Sequence, residues 1–239
     1  MKKLYTIIVI VGFFFSPLQA QDLKEILDNY YKSNGQNKIN QIKTMTITGT
    51  IFQMGSEFSF KRISIRPDKF YLEADIMGQK FVQAYNGTDG WMIAPWTGSV
   101  DPQDIPVNQL KIMKKEADFD GALYNYEAKG IMLEYEGIEK INGADAFKIK
   151  TTYQDNDVVK IFIGAESNLI IKTEAILPTM MRTDALTETF LSNYKMIEGT
   201  AVAFSIETKS NGQTSAKIKI DLVEYDKKID HNIFNRPKK

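Results

Sequence analysis

The chain has 239 residues, with 30 Lys and Arg balancing 30 Asp and Glu, one His and no Cys. These counts exclude a disulfide framework, a thiol nucleophile, a thiolate zinc site and a cysteine-held iron–sulfur cluster, and they leave any histidine-dependent centre only His231 to build on. Zero net charge argues against a general affinity for nucleic acid, and the length suits one or two globular domains.

Lys2 and Lys3 precede an apolar run from Leu4 to Phe15, and Leu18-Gln19-Ala20 follows. This is the layout of a secretory signal peptide cleaved near Ala20, because the run falls short of the ~20 residues a spanning helix needs. Removing residues 1–20 takes away Lys2 and Lys3 alone among the charges and leaves a mature chain of net charge −2. That chain is expected in the periplasm, where ~220 residues can bury a core without disulfides.

Leu23, Ile26, Leu27, Tyr30 and Tyr31 recur at helical spacing over Asp22–Tyr31, with Asp22 as the expected N-cap and Gly35 past the end. A short helical turn is expected over Gln36–Ile42. From Thr44 the period becomes two, and strands are predicted at Thr44–Thr48, Glu57–Lys61, Lys69–Ile76, Lys80–Tyr85 and Trp91–Ala94. Turns at Arg66-Pro67-Asp68 and Asn86-Gly87-Thr88-Asp89-Gly90 make this an antiparallel meander.

A helical insertion then interrupts the strands near 102–129, with Val107, Leu110, Met113 and Ala117 on its apolar face and a break at Asp118-Phe119-Asp120-Gly121. Seven more strands follow, at Ile131–Tyr135, Ala146–Tyr153, Val158–Ile163, Leu169–Leu177, Ala185–Tyr194, Ala201–Thr208 and Ser215–Tyr225. The fold class is mainly β, a curved antiparallel sheet of about 11–12 strands in one domain. Its concave face needs apolar cover, for which Phe58, Phe60, Phe70, Leu72, Phe147, Ile149, Phe190 and Tyr194 are candidates, with the two helical segments above them. Any one of these side chains can equally be ordinary core.

Arg66-Pro67-Asp68-Lys69-Phe70, Phe81-Val82-Gln83-Ala84-Tyr85-Asn86-Gly87, Gly90-Trp91-Met92 and the terminal Ile233-Phe234-Asn235-Arg236-Pro237 together resemble the LolA-type outer-membrane lipoprotein-sorting carriers. The resemblance extends over nearly the whole mature chain in element order. It implies a half-open barrel closed by an N-terminal helix and a central helical lid, holding lipoprotein acyl chains or another lipid in an apolar cavity. Phe81, Trp91, Leu110 and Met113 also belong to the expected lining. The resemblance also implies that Arg66 latches the lid; without a bulge, Arg66 shares strand parity with Phe58 and Phe60. A surface arginine closing a turn is the alternative. Inner- and outer-membrane lipoprotein-transport components are the implied partners, and a monomer is expected.

The pairs Asp118/Asp120 and Asp155/Asp157 lack the remaining ligands of a calcium loop and read as turn residues. Phosphate loops, nucleophile elbows and zinc-protease motifs do not occur in the sequence, so no enzyme, cofactor or metal is expected. Two other readings of the same pattern stand beside the carrier. One is a non-catalytic envelope sensor or interaction module with a filled core, and the other an outer-membrane barrel, which the polar C-terminus and charged insertion oppose.

Overall fold

The computed structural model describes residues 17–53, 55–178 and 184–237. Most of the expected export signal, residues 1–16, lies outside them. The first helix, α1, runs over Pro17–Asn34, longer at both ends than the apolar spacing indicates. Asp22 is therefore inside it and not its cap; Pro17 opens it, where a fixed φ suits a first turn and a missing N–H costs nothing. Gly35 ends it at φ +76, and a Cβ there would lie 2.0 Å from the Gly199 carbonyl oxygen, so glycine is required twice over. A single helical turn, α2, follows at Gln36–Ile39.

The meander is β1 (Thr44–Gln53), β2 (Ser56–Ile65), β3 (Lys69–Ile76), β4 (Gln79–Tyr85) and β5 (Gly90–Ile93). A two-residue strand not expected from the sequence, β6 (Gln103–Asp104), pairs with β5 inside the insertion. Two residues are too short to carry a period, so alternation could not find it. Helix α3 (Val107–Ala117) comes next, then a run of turns to Gly130. The second half is β7 (Met132–Ile141), β8 (Ala144–Thr152), β9 (Val158–Gly164), β10 (Ile170–Pro178), β11 (Asp184–Ile197), β12 (Thr200–Ser210) and β13 (Gln213–Tyr225).

All thirteen strands lie in one antiparallel sheet in the order β6-β5-β4-β3-β2-β1-β13-β12-β11-β10-β9-β8-β7. The edges β6 and β7 do not pair, so the sheet curls into a half-open barrel. Curvature has a visible source at the centre. The β1–β13 register shifts between Thr48 and Gly49, and a Cβ at Gly49 would lie 2.1 Å from the Lys219 carbonyl oxygen.

Strand alternation sends two sets of side chains to opposite faces. On the convex face, Ile63, Ile65, Tyr71, Val82, Ala84 and Trp91 pack under Phe234 from the turn His231–Phe234, and the Trp91 indole donates to the Phe234 carbonyl at 3.0 Å. Ile141, Ala146 and Phe162 form a second convex cluster with Phe190. On the concave face, Ile149, Ile161 and Ile163 are covered by Ile26, Leu27 and Tyr30 of α1 and by Leu123. At the other end Phe70 and Tyr85 are covered by Met113 and Ala117 of α3.

Candidate functional site

In the concave trough beneath α3, apolar surface, open space and inward-facing charge lie together. Its floor between the two covers carries Ile47, Phe60, Phe204, Ile220 and Val223, flanked by half-buried Met45, Ile51, Leu72, Phe81, Val202, Ile206 and Ile218. Phe58 pairs with Ile51 at the outer end of this row, and the Phe81 ring lies 5.1 Å from the exposed Trp96 at the rim.

The expected lining residues therefore fall into separate groups. Phe70, Leu72, Leu110 and Met113 meet beneath α3, whereas Phe147 and Ile149 lie under α1. Phe58, Phe60 and Phe81 belong to the open floor. Trp91 and Phe190 are placed elsewhere: both are on the convex face, because each is one residue out of step with the inward set on its strand. Val107 is 82% exposed at the first position of α3 and does not share the face of Leu110, Met113 and Ala117. Tyr194 donates its hydroxyl to the Ile170 carbonyl, and desolvation pushes its phenol pKa well up.

Between α3 and β9–β11 lies a cavity of about 510 Å³ that contains none of the expected residues. Ile112 and Glu116 line it from α3, and Val159, Ala175 and Leu177 from the sheet, together with the hydroxyls of Thr173, Thr187 and Thr189. Its wall is thus mixed, apolar with a row of threonines. The only trace in the sequence is the weak alternation Thr173, Ala175, Leu177 against Lys172 and Glu174, which small and hydroxylated residues make easy to overlook.

Arg66 stands where three pieces of cover meet. Its Nε donates to the Ile42 carbonyl at 3.0 Å and its Nη2 to the Ile39 carbonyl at 2.7 Å, which also accepts the Ile42 amide, so Arg66 holds the segment just after α2. Its Nη1 pairs with Asp120, and its guanidinium lies 4.6 Å from the centre of the Phe119 ring. The adjoining backbone adds a bond from the Phe119 amide to the Pro67 carbonyl, across a cis Arg66–Pro67 peptide. Around it, Tyr31 donates to the Leu123 carbonyl and Asn40 to the Tyr124 hydroxyl.

A second fastening, which the sequence did not reveal, crosses the mouth. Lys111 of α3 pairs with Asp157 at 2.9 Å and Asp155 at 3.1 Å, and Lys115 pairs with both in the β8–β9 turn. The two aspartates do form an Asx turn, with the Asp157 amide donating to Asp155 Oδ1, but they also tie α3 to the β8–β9 turn. The legible signal was Lys111 and Lys115 four apart on one helix face.

Partial desolvation pushes the Asp155 carboxyl up, yet hydrogen bonds from the Asp157 amide, Lys111 and Lys115 outweigh it and hold its pKa down to about 2. Asp157 is also held down, chiefly by Lys115, and Lys111 is held up by Asp157 and Asp155. Because the carboxylate values are depressed on folding, their stabilisation is complete above the ordinary carboxylate range and lost as pH falls toward about 2. The raised Lys111 contributes below the ordinary lysine value and loses its contribution as pH rises past its folded one. Amide protection factors in Val107–Ala117, corrected for the intrinsic pH dependence of exchange, are therefore expected to fall below about pH 4 and in Asp155→Asn/Asp157→Asn at neutral pH, with a smaller fall in molar salt. Exchange insensitive to the double substitution would remove the fastening.

The fold and its covered trough define the LolA type of half-barrel. Three solved structures share it: a DUF1329 family protein from Desulfovibrio piger (TM-score 0.60, 12% identity, 89% of this chain and 96% of that one), a LolA superfamily protein from Nitrosomonas europaea (0.58, 12%, 89% and 96%) and an outer membrane lipoprotein-sorting protein domain from Vibrio parahaemolyticus (0.55, 14%, 87% and 97%). At these identities the likeness is one of fold. No family model and no curated sequence matches the chain.

Proposed function

We propose that the protein is an exported, non-catalytic carrier that holds acyl chains of a lipoprotein or another lipid between the concave face and the α3 lid, moving them across the periplasm toward the outer membrane. The observation that carries this reading is the cavity of about 510 Å³ under a helix secured by side chains. A packed core would not need charged fastenings to hold its cover. The volume suits part of an acyl chain or a small lipid, within the range of ordinary ligand pockets, and the half-buried apolar floor beside it offers the rest of a chain a place to lie.

Fold likeness to a lipoprotein-sorting domain supports the same reading and leaves the cargo open. Components of lipoprotein transport at either membrane are the corresponding partners, and residues 1–20 act as the export signal. Arg66 serves as the latch: opening the trough means parting α2 from the Phe119–Asp120 turn, and Arg66 holds both. Native mass spectrometry of the protein extracted from its own cells is expected to show a lipid or lipoprotein adduct.

A further inference from the structure

We propose that Arg62 and Ser64 form a polar anchor for the oxygen-bearing end of an acyl chain, a carboxylate or an ester carbonyl, held against the concave face beneath α3. The inference rests on the carrier reading and assigns the chemistry of its cargo.

Both side chains point inward from β2 among apolar neighbours. Arg62 pairs with Ile47 and Leu72, and Ser64 with Met45 and Phe70. Ser64 is only 2% exposed. Arg62 Nε and Ser64 Oγ are both buried without a hydrogen-bond partner. Two adjacent orphan donors in an apolar wall are costly to keep, and they share a remedy, an acceptor oxygen entering with a ligand.

The remaining contacts of Arg62 connect this remedy to lid movement. Its Nη2 donates to the Glu116 carbonyl of α3 at 2.9 Å, and its guanidinium lies 4.9 Å from the centre of the Phe70 ring. Glu116 also lines the cavity. A chain entering beneath α3 displaces the helix and takes that carbonyl from Arg62. The guanidinium then lacks a further acceptor in a low-dielectric wall, so a cargo that supplies oxygen is favoured over one that does not. The Glu116 carboxyl, on an exposed residue of α3 facing Arg62, is the competing acceptor nearby.

The test is a titration of the full mature chain with three fluorescent probes: parinaric acid, its methyl ester and the hydrocarbon diphenylhexatriene. Arg62→Met is expected to weaken binding of the oxygen-bearing probe by about tenfold, the equivalent of one charge-assisted hydrogen bond. Ser64→Ala should weaken it less, Glu116→Gln should strengthen it, and the hydrocarbon should bind all variants alike. Loss for the acid alone identifies a free carboxylate as the ligand, whereas loss for acid and ester identifies the carbonyl oxygen. Unchanged affinity of both oxygenated probes in Arg62→Met overturns the anchor. Failure of the wild type to bind any of the three overturns the carrier reading itself. If circular dichroism shows Arg62→Met unfolded, Arg62→Lys and Ser64→Ala decide the matter, and unchanged binding in both overturns the anchor.

Discussion

Arg66→Leu is expected to destabilise the protein by about 2–4 kcal/mol, the range for removing one partner from a partly buried, hydrogen-bonded charge pair. The loss has several parts. The Ile42 carbonyl loses its side-chain donor, the Ile39 carbonyl keeps only the Ile42 amide, Asp120 loses its cation, and the Phe119 ring loses the guanidinium above it. Asp120 suffers most, because its Oδ1 is already buried without a partner. Arg66→Lys keeps the charge but cannot reach two carbonyls and a carboxylate with one planar fork, so it should recover only part of the stability. Urea denaturation reads the energy, and hydrogen exchange over residues 118–130 reads the place. That segment is expected to lose more protection than the convex strands in Arg66→Leu; a uniform loss would make Arg66 a general stabiliser and not a latch.

Phe234→Ala is expected to cost about 3–5 kcal/mol, the usual range for truncating a fully buried phenylalanine. For a chain of this size that lowers Tm by on the order of 10 °C. Phe234 is 0% exposed, seated on Ile63, Ile65, Tyr71 and Trp91, and its carbonyl accepts the Trp91 indole. Removing the ring opens a cavity on the convex side and loosens that bond. Because the damage lies behind the sheet, probe affinity per folded molecule should stay within about twofold of wild type, while thermal melting shifts. A large loss of affinity at temperatures where the variant remains folded would contradict the separation of structural and binding faces.

The architecture was legible because strand alternation and turn residues both report it. Boundaries such as Lys69–Ile76 coincide with β3, and Asn86 does close its turn by accepting the Thr88 and Asp89 amides. The site was less legible, for physical reasons. Parity alone says which residues share a face but not which face is concave, and aromatic character does not decide it: Trp91 and Phe190 pack outward, while threonines line the cavity. The parity that aligns Arg66 with Phe60 also includes Arg62 and Ser64, so the inward charge was present in the sequence. Its significance depends on α3 lying above, a long-range contact that local pattern does not encode. The same holds for Asp155 and Asp157, whose turn geometry was readable and whose lysine partners were not.

In a carrier of this kind, acyl chains occupy the space between α3 and β9–β11. Native mass spectrometry comparing the wild type with Ala175→Trp, both extracted from the same cells, tests it most directly. Ala175 is half-buried on the cavity wall, and an indole there fills space without removing a fastening of the lid. A lipid or lipoprotein adduct is expected on the wild type and a much reduced one on the folded variant. A wild type free of adducts, or one whose adduct persists undiminished in Ala175→Trp, would contradict it.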